Sequence, residues 1–215
     1  MKSGFRSPRP RPDGNGEGAD GPFAPHQIRR LVKSEFDRSK RYGHPLVVGV
    51  LKVDRLEALV DHHGHRVRDV IQTTVTRVLQ RELRSSDLLG RHPEDRFLVL
   101  LPHVELAGAQ EFARRVLRRI AEFQLEVGPR VLNITATMGL AGHVGRSNLF
   151  CDQVLAQAEA ALERGRAAGG NRIELAADGP EGAGEPGAAA PDPEPPTPAD
   201  PTEAAPRPPR RLKPG

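Results

Sequence analysis

Residues 41–65 read RYGHPLVVGVLKVDRLEALVDHHGH. Within them, Leu46 to Val53 is a short, nearly continuous apolar run bounded by Pro45 and Asp54. Such a run, without alternation, predicts a buried strand. Upstream, Ile28 to Arg41 carries Ile28, Leu31, Val32 and Phe36 at helical spacing, which predicts a one-sided helix. Downstream, Val67 to Leu83 places Val70, Ile71, Val75, Val78, Leu79 and Leu83 on a helical face. Asp87 to Gly90 and Phe97 to Leu101 read as two strands, and the six residues between them include Pro93, which suits a hairpin turn better than a ladder position. Leu106 to Phe123 is an amphipathic helix, and Leu132 to Ala141 is strand-like, with β-branched Ile134, Thr135 and Thr137. Gln153 to Ala168 is an Ala-rich helix stopped by Gly169-Gly170-Asn171, with Arg172 to Leu175 as an edge strand. Helices mixed with a hairpin predict an α+β fold rather than a purely parallel sheet.

Of 21 prolines in 215 residues, 17 fall in residues 1–25 and 177–215. Proline removes a donor and forbids helix and ladder interiors, so these ends read as disordered tails around a folded domain at 26–176. The C-terminal tail closes on the basic segment APRPPRRLKPG, read as a solubilising linker with a short partner motif as the alternative. The net charge of +4 is interspersed rather than blocked, and only 4% of residues are aromatic, with no Trp. Base-stacking platforms need aromatics, so nucleic acid is not expected as a partner. One cysteine, Cys151, rules out an intramolecular disulfide and suits a reducing compartment. The N-terminus has no apolar signal region, and no apolar run approaches the ~18 residues of a membrane span. The expected setting is the cytoplasm.

The same 41–65 stretch resembles the GGDEF family of diguanylate cyclases, whose members carry here a strand ending in D-x-D-x-F-K, then N-D, then G-H. Lys52 stands at the first Asp, Asp54 at the second, Leu56 at the Phe, Val60 at the Asn and Asp61 at the following Asp, with Gly64-His65 intact. Asp69 matches the Asp that closes the next segment. Arg84-Ser-Ser-Asp87, five residues and then Pro93-Glu94-Asp95-Arg96-Phe97 resemble R-x-x-D followed by the signature G-G-D/E-E-F. Ile134 to Leu140 is similar to the family's V-T-x-S-x-G-V strand, and Ala158 to Leu162 and Gly169 to Asn171 to its closing A-D-x-A-L-Y and G-R-N. The run is colinear over about residues 28–176. It implies a palm-like sheet containing antiparallel strands, flanked by helices.

The resemblance implies an activity and, residue by residue, its loss. The family joins two GTP molecules into cyclic di-GMP, a phosphoryl transfer that relies on divalent metals held by the first Asp and the acidic third residue of the signature. Lys52 puts a cation with no acceptor at the first position. Asp95 keeps the acid at the other, beside Arg96 where the family has Glu. Pro93 and Glu94 add bulk and charge where two glycines allow close approach to the nucleotide. Val60 replaces the guanine-reading Asn, while Asp69, a second guanine contact in the family, remains. The expectation is an inactive homologue with no catalytic residues, no metal and no cofactor. Lys52 holding a triphosphate without turnover is a further reading.

The family's product-binding site is kept. Its core is Arg84 and Asp87, and by spacing Arg115 supplies its second arginine. An arginine fork matches guanine O6 and N7 or a phosphate, and a carboxylate accepts from the guanine Watson–Crick edge. The expected ligand is cyclic di-GMP, bound by Arg84, Asp87 and Arg115 and signalled to an unknown protein partner. The alternatives are a nucleotide-independent docking or homodimerisation scaffold, and Arg84 and Asp87 as a local surface ion pair worth ~0–1 kcal/mol. His62, His63 and His65 are not read as a metal cluster, since Gly64-His65 belongs to the family turn and adjacent histidines on a short segment seldom supply three ligands; Cys151 reads as inert, and the arginines at 114, 115, 118 and 119 as a solvated helix face.

Overall fold

The computed structural model describes residues 21–127, 130–143 and 150–177. In chain order these form α1 (Pro25–Tyr42), β1 (Leu46–Val53), α2 (Leu56–His63), α3 (His65–Glu82), β2 (Leu88–His92), β3 (Arg96–Pro102), α4 (Leu106–Ala121), β4 (Gln124–Val127), β5 (Arg130–Asn133), β6 (Ala136–His143), α5 (Cys151–Ala167) and β7 (Ile173–Leu175). The five-stranded sheet runs β2-β3-β1-β6-β7, and β4-β5 forms a separate hairpin. β1 lies antiparallel to both β3 and β6, β2 is antiparallel to β3, and only β7 runs parallel to its neighbour. This is the mixed α+β, palm-like sheet that the sequence implies.

All eight residues of β1 are buried, because helices cover both faces of the central strand. Val47, Leu51 and Val53 join Ile71, Val75 and Leu79 of α3 and Phe112, Val116 and Ile120 of α4 in one core. Leu46, Val48 and Val50 alternate to the other face and meet Ile28, Val32 and Phe36 of α1 and Val154, Ala158 and Leu162 of α5. Each such aliphatic side chain contributes roughly 1.5–3 kcal/mol when removed from water. Two glycines set the closeness of the second layer. A side chain at Gly90 would collide with Ile28, and one at Gly139 with the backbone of Ala158 and Leu162.

The structure departs from the sequence reading in three places. The expected strand from Leu132 to Ala141 is broken: Leu132 pairs with Leu125 in the β4–β5 hairpin, and β6 starts only at Ala136. At the start of β6 the Asp54 amide donates to the Thr135 carbonyl at 2.9 Å, in register with the β1–β6 ladder, so the change of partner falls between Asn133, which pairs with Gln124, and Thr135. An eight-residue helix, α2, follows β1 without a helical stripe in the sequence, since only its Leu56 and Val60 are buried. Phe23, assigned by the sequence to the N-terminal tail, bridges Gly90 of β2, with its amide donating to Leu89 and its carbonyl accepting from Arg91, both at 2.8 Å. Residues 1–20 and the tail from 178 onward lie outside the described residues. No described helix is long and apolar enough to cross a membrane.

Candidate functional site

The last β1–β3 rung pairs Leu51 with Phe97, so Lys52 and Arg96 stand at the ends of adjacent strands. Lys52 also pairs with Thr137 of β6. Its side chain is 5% exposed, and Nζ lies 2.8 Å from Oε1 of Glu57 in the first turn of α2. That hydrogen bond, more than any other influence, holds the Glu57 carboxyl below the usual carboxylate range, and Arg166 adds to the effect. Arg96 is 14% exposed, and its Nη2 reaches Glu94 at 2.7 Å and Glu163 of α5 at 2.9 Å. Glu163 also holds Arg166 at 3.1 Å. Lys52, Arg96 and Arg166 are therefore charge-paired with Glu57, Glu94 and Glu163 around the signature positions, while the buried Arg96 Nε has no hydrogen-bond partner among the described residues.

The signature turn keeps a backbone suited to glycine while carrying other residues. Glu94 and Asp95 have φ of 61° and 60°, in the left-handed region. Non-glycine residues enter that region at a cost of roughly 1–2 kcal/mol each. The turn is anchored to α3, where Gln72 Nε2 donates to the Asp95 carbonyl at 3.2 Å and its Oε1 accepts from Arg91 Nη1. Arg91 lies over the Phe97 ring at 4.7 Å, and burial lowers its pKa while Asp95 opposes that shift. The Asp95 carboxylate faces Arg68, with Nε at 3.6 Å. Val60 is buried in the core, and Asp69 is exposed on α3. Magnesium requires several hard oxygen donors. The two positions assigned to metal ligands hold an ammonium bound to Glu57 and a carboxylate facing an arginine, so these residues do not fit a divalent ion. Among the described residues no group of three or more His, Cys, Asp or Glu is arranged to hold one.

Asp54, the surviving second aspartate, has a structural role that the sequence did not reveal. Its carboxylate accepts from the Thr135 hydroxyl at 2.8 Å, the Thr137 hydroxyl at 2.7 Å and the Asn171 amide at 2.8 Å. It thereby fastens the end of β1 to β6 and to the glycine turn after α5. Gly170 must stay bare, because a side chain there would lie 2.8 Å from this carboxylate.

Arg84 and Asp87 occupy the turn between α3 and β2. Asp87 Oδ2 accepts from the Arg84 backbone amide at 2.8 Å, and Ser86 Oγ lies 3.3 Å from the other oxygen. The two side chains do not form the surface ion pair weighed above. The carboxylate caps the turn, and the exposed Arg84 guanidinium has no hydrogen bond or ion pair among the described residues. Arg115 of α4 donates from Nε to Glu82 Oε2 at 3.0 Å. Glu82 ends α3 two residues before Arg84, so this bond brings Arg115 to the same junction. Arg119 holds the other Glu82 oxygen, and the glutamate side chain is only 9% exposed. Sequence reading passed over Glu82, since its partners lie a whole hairpin away. Of the other sequence features, Arg114 is paired with Glu111, and burial raises the Cys151 thiol above its ordinary value.

Comparison with known proteins covers the same region. The family model described as "Diguanylate cyclase, GGDEF domain" matches residues 26–172. Diguanylate cyclase DgcP of Pseudomonas aeruginosa is 29% identical over 149 residues, 69% of this chain and 22% of that protein. This chain thus spans about a fifth of that relative's length. The crystal structure of diguanylate cyclase SiaD with its activator SiaC, also from Pseudomonas aeruginosa, matches with TM-score 0.67 and 29% identity, covering 71% of this chain and 58% of that one. The GGDEF domain of DgcB from Caulobacter crescentus in complex with c-di-GMP matches with TM-score 0.70 at 18% identity, covering 78% of this chain and 99% of that one. The last of these similarities is one of fold.

Proposed function

This chain belongs to the diguanylate cyclase GGDEF family, and we propose that it no longer makes cyclic di-GMP but binds it through Arg84, Asp87 and Arg115. The observation that carries this reading is the contrast between two arginines. Arg96 in the signature is nearly buried between Glu94 and Glu163, whereas Arg84 is exposed and its guanidinium has no partner among the described residues. A guanidinium in water, beside a carboxylate already oriented by its own turn, suits a guanine edge or a phosphate. At the other site Lys52 stands where a metal carboxylate is needed, and its charge is bound to Glu57. The SiaD complex gives a precedent for a protein partner, and a partner that reads the bound state is the expected output here.

Titration calorimetry of cyclic di-GMP into the full chain, beside Arg84→Ala, tests the binding. Saturable heat near micromolar, about −8 kcal/mol, lost in the variant, supports the receptor; unchanged affinity in Arg84→Ala removes the assigned site. Incubation with GTP and Mg²⁺ or Mn²⁺, followed by chromatography, tests the other half. Product no greater than in a no-protein control is expected, and any excess overturns the reading of Lys52. A nucleotide-independent docking scaffold is favoured by one observation, that Glu82 already satisfies Arg115. A ligand that binds only the native state must raise its melting temperature, so no rise with cyclic di-GMP selects the scaffold.

A further inference from the structure

Glu82 carries one carboxylate between two arginines. Oε2 accepts from Arg115 Nε at 3.0 Å, and Oε1 accepts from Arg119 Nε. The arginines sit four residues apart on α4, so they project from the same face on successive turns. Both are half exposed, at 52% and 57%, while the glutamate between them is 9% exposed. The guanidiniums thus open to solvent and converge on a pair of oxygens that share one negative charge.

A phosphodiester presents the same chemistry: two non-bridging oxygens on one centre, carrying one charge. Arginine binds carboxylate and phosphate alike through paired N–H donors. The geometry points to Arg119 as a further ligand of the cyclic dinucleotide, gripping a phosphate together with Arg115, with the Glu82 carboxylate standing in that phosphate's place when the site is empty. Glu82 then competes with the ligand and keeps the arginine pair spread and ordered. This inference rests on the receptor reading above and extends its site by one residue and one built-in competitor.

The test is a set of titrations of cyclic di-GMP into the full chain and its Arg84→Ala, Arg119→Ala, Arg119→Lys and Glu82→Gln variants, each with its melting temperature. Arg119→Ala is expected to weaken binding about tenfold or more, and Arg119→Lys less, since lysine keeps the charge but not the fork. Glu82→Gln is expected to tighten binding severalfold, because the neutral amide no longer holds the guanidiniums. A merely structural Glu82 gives the opposite sign, with binding weakened in parallel with melting temperature. If the wild type binds and Arg84→Ala does not, while Glu82→Gln is no tighter or Arg119→Ala is unchanged, this inference fails and the receptor reading stands. A wild-type chain that does not bind ends both.

Discussion

The five residues of β2 separate two arginine-bearing turns that are built in opposite ways. Before the strand, Asp87 spends its carboxylate on the backbone of its own turn and leaves the Arg84 guanidinium in water. After it, Glu94 and Arg96 bond to each other, and Glu163 closes over them from α5. An exposed, unpaired guanidinium loses little when a ligand arrives. A nearly buried one with two carboxylate partners must first give them up, and leaving one partner of such a pair unmatched is expensive. The signature positions are thus closed on themselves. Arg96 finds its counter-ions in Glu94 of the same turn and Glu163 of α5.

That contrast can be broken most sharply by ligand affinity. Arg84→Ala is expected to cost about 2–5 kcal/mol of cyclic di-GMP binding, since the ligand's partner groups are left unmatched. Arg96→Ala should leave the titration unchanged; equal losses in the two would erase the distinction between the turns. A smaller effect, on stability, is expected at Asp54. Asp54→Ala leaves two hydroxyls and the Asn171 amide without their acceptor, and chemical denaturation should register a loss of about 1–3 kcal/mol. No loss would mean that the carboxylate does not join β1 to the turn after α5.

The smallest effect concerns pH. Glu57 is held ionised by Lys52, so its carboxyl titrates lower in the folded chain than in the unfolded one. Its contribution is present above the ordinary carboxylate range and fades as pH falls through the depressed folded value. Glu57 is itself more than half exposed, so the gain is modest. Comparing melting temperatures across that range, the wild type should lose slightly more than Glu57→Gln on acidification. Identical curves would show that the Lys52–Glu57 pair is electrostatically idle.

Much of the fold was legible because its periodicities are local. The apolar run of β1, the stripes of α1, α3 and α4, and the Pro93 turn all declare themselves within a dozen residues. What escaped depends on pairings remote in sequence. Ile134, Thr135 and Thr137 have the composition of a continuous strand, yet Leu132 and Asn133 pair with β4 while the residues from Ala136 onward pair with β1, more than 80 positions away. The positions of Arg84, Asp87 and Arg115 could be proposed from the family resemblance, but not their partners. Glu57, Glu82 and Glu163 look like ordinary surface carboxylates in the sequence. They become informative only when the fold sets them against Lys52, Arg115 and Arg96.

The Phe23 bridge has a consequence for solubility. β2 is the outermost strand on its side of the sheet, and a bare outer strand offers its unpaired amides and carbonyls to any passing chain. By taking the Leu89 carbonyl and the Arg91 amide, Phe23 acts as a selvedge that keeps the weave from fraying into a neighbour's. A variant lacking residues 1–23 would keep every described helix and strand but lose the Phe23 packing and expose that edge, and would be the form most prone to stick to itself.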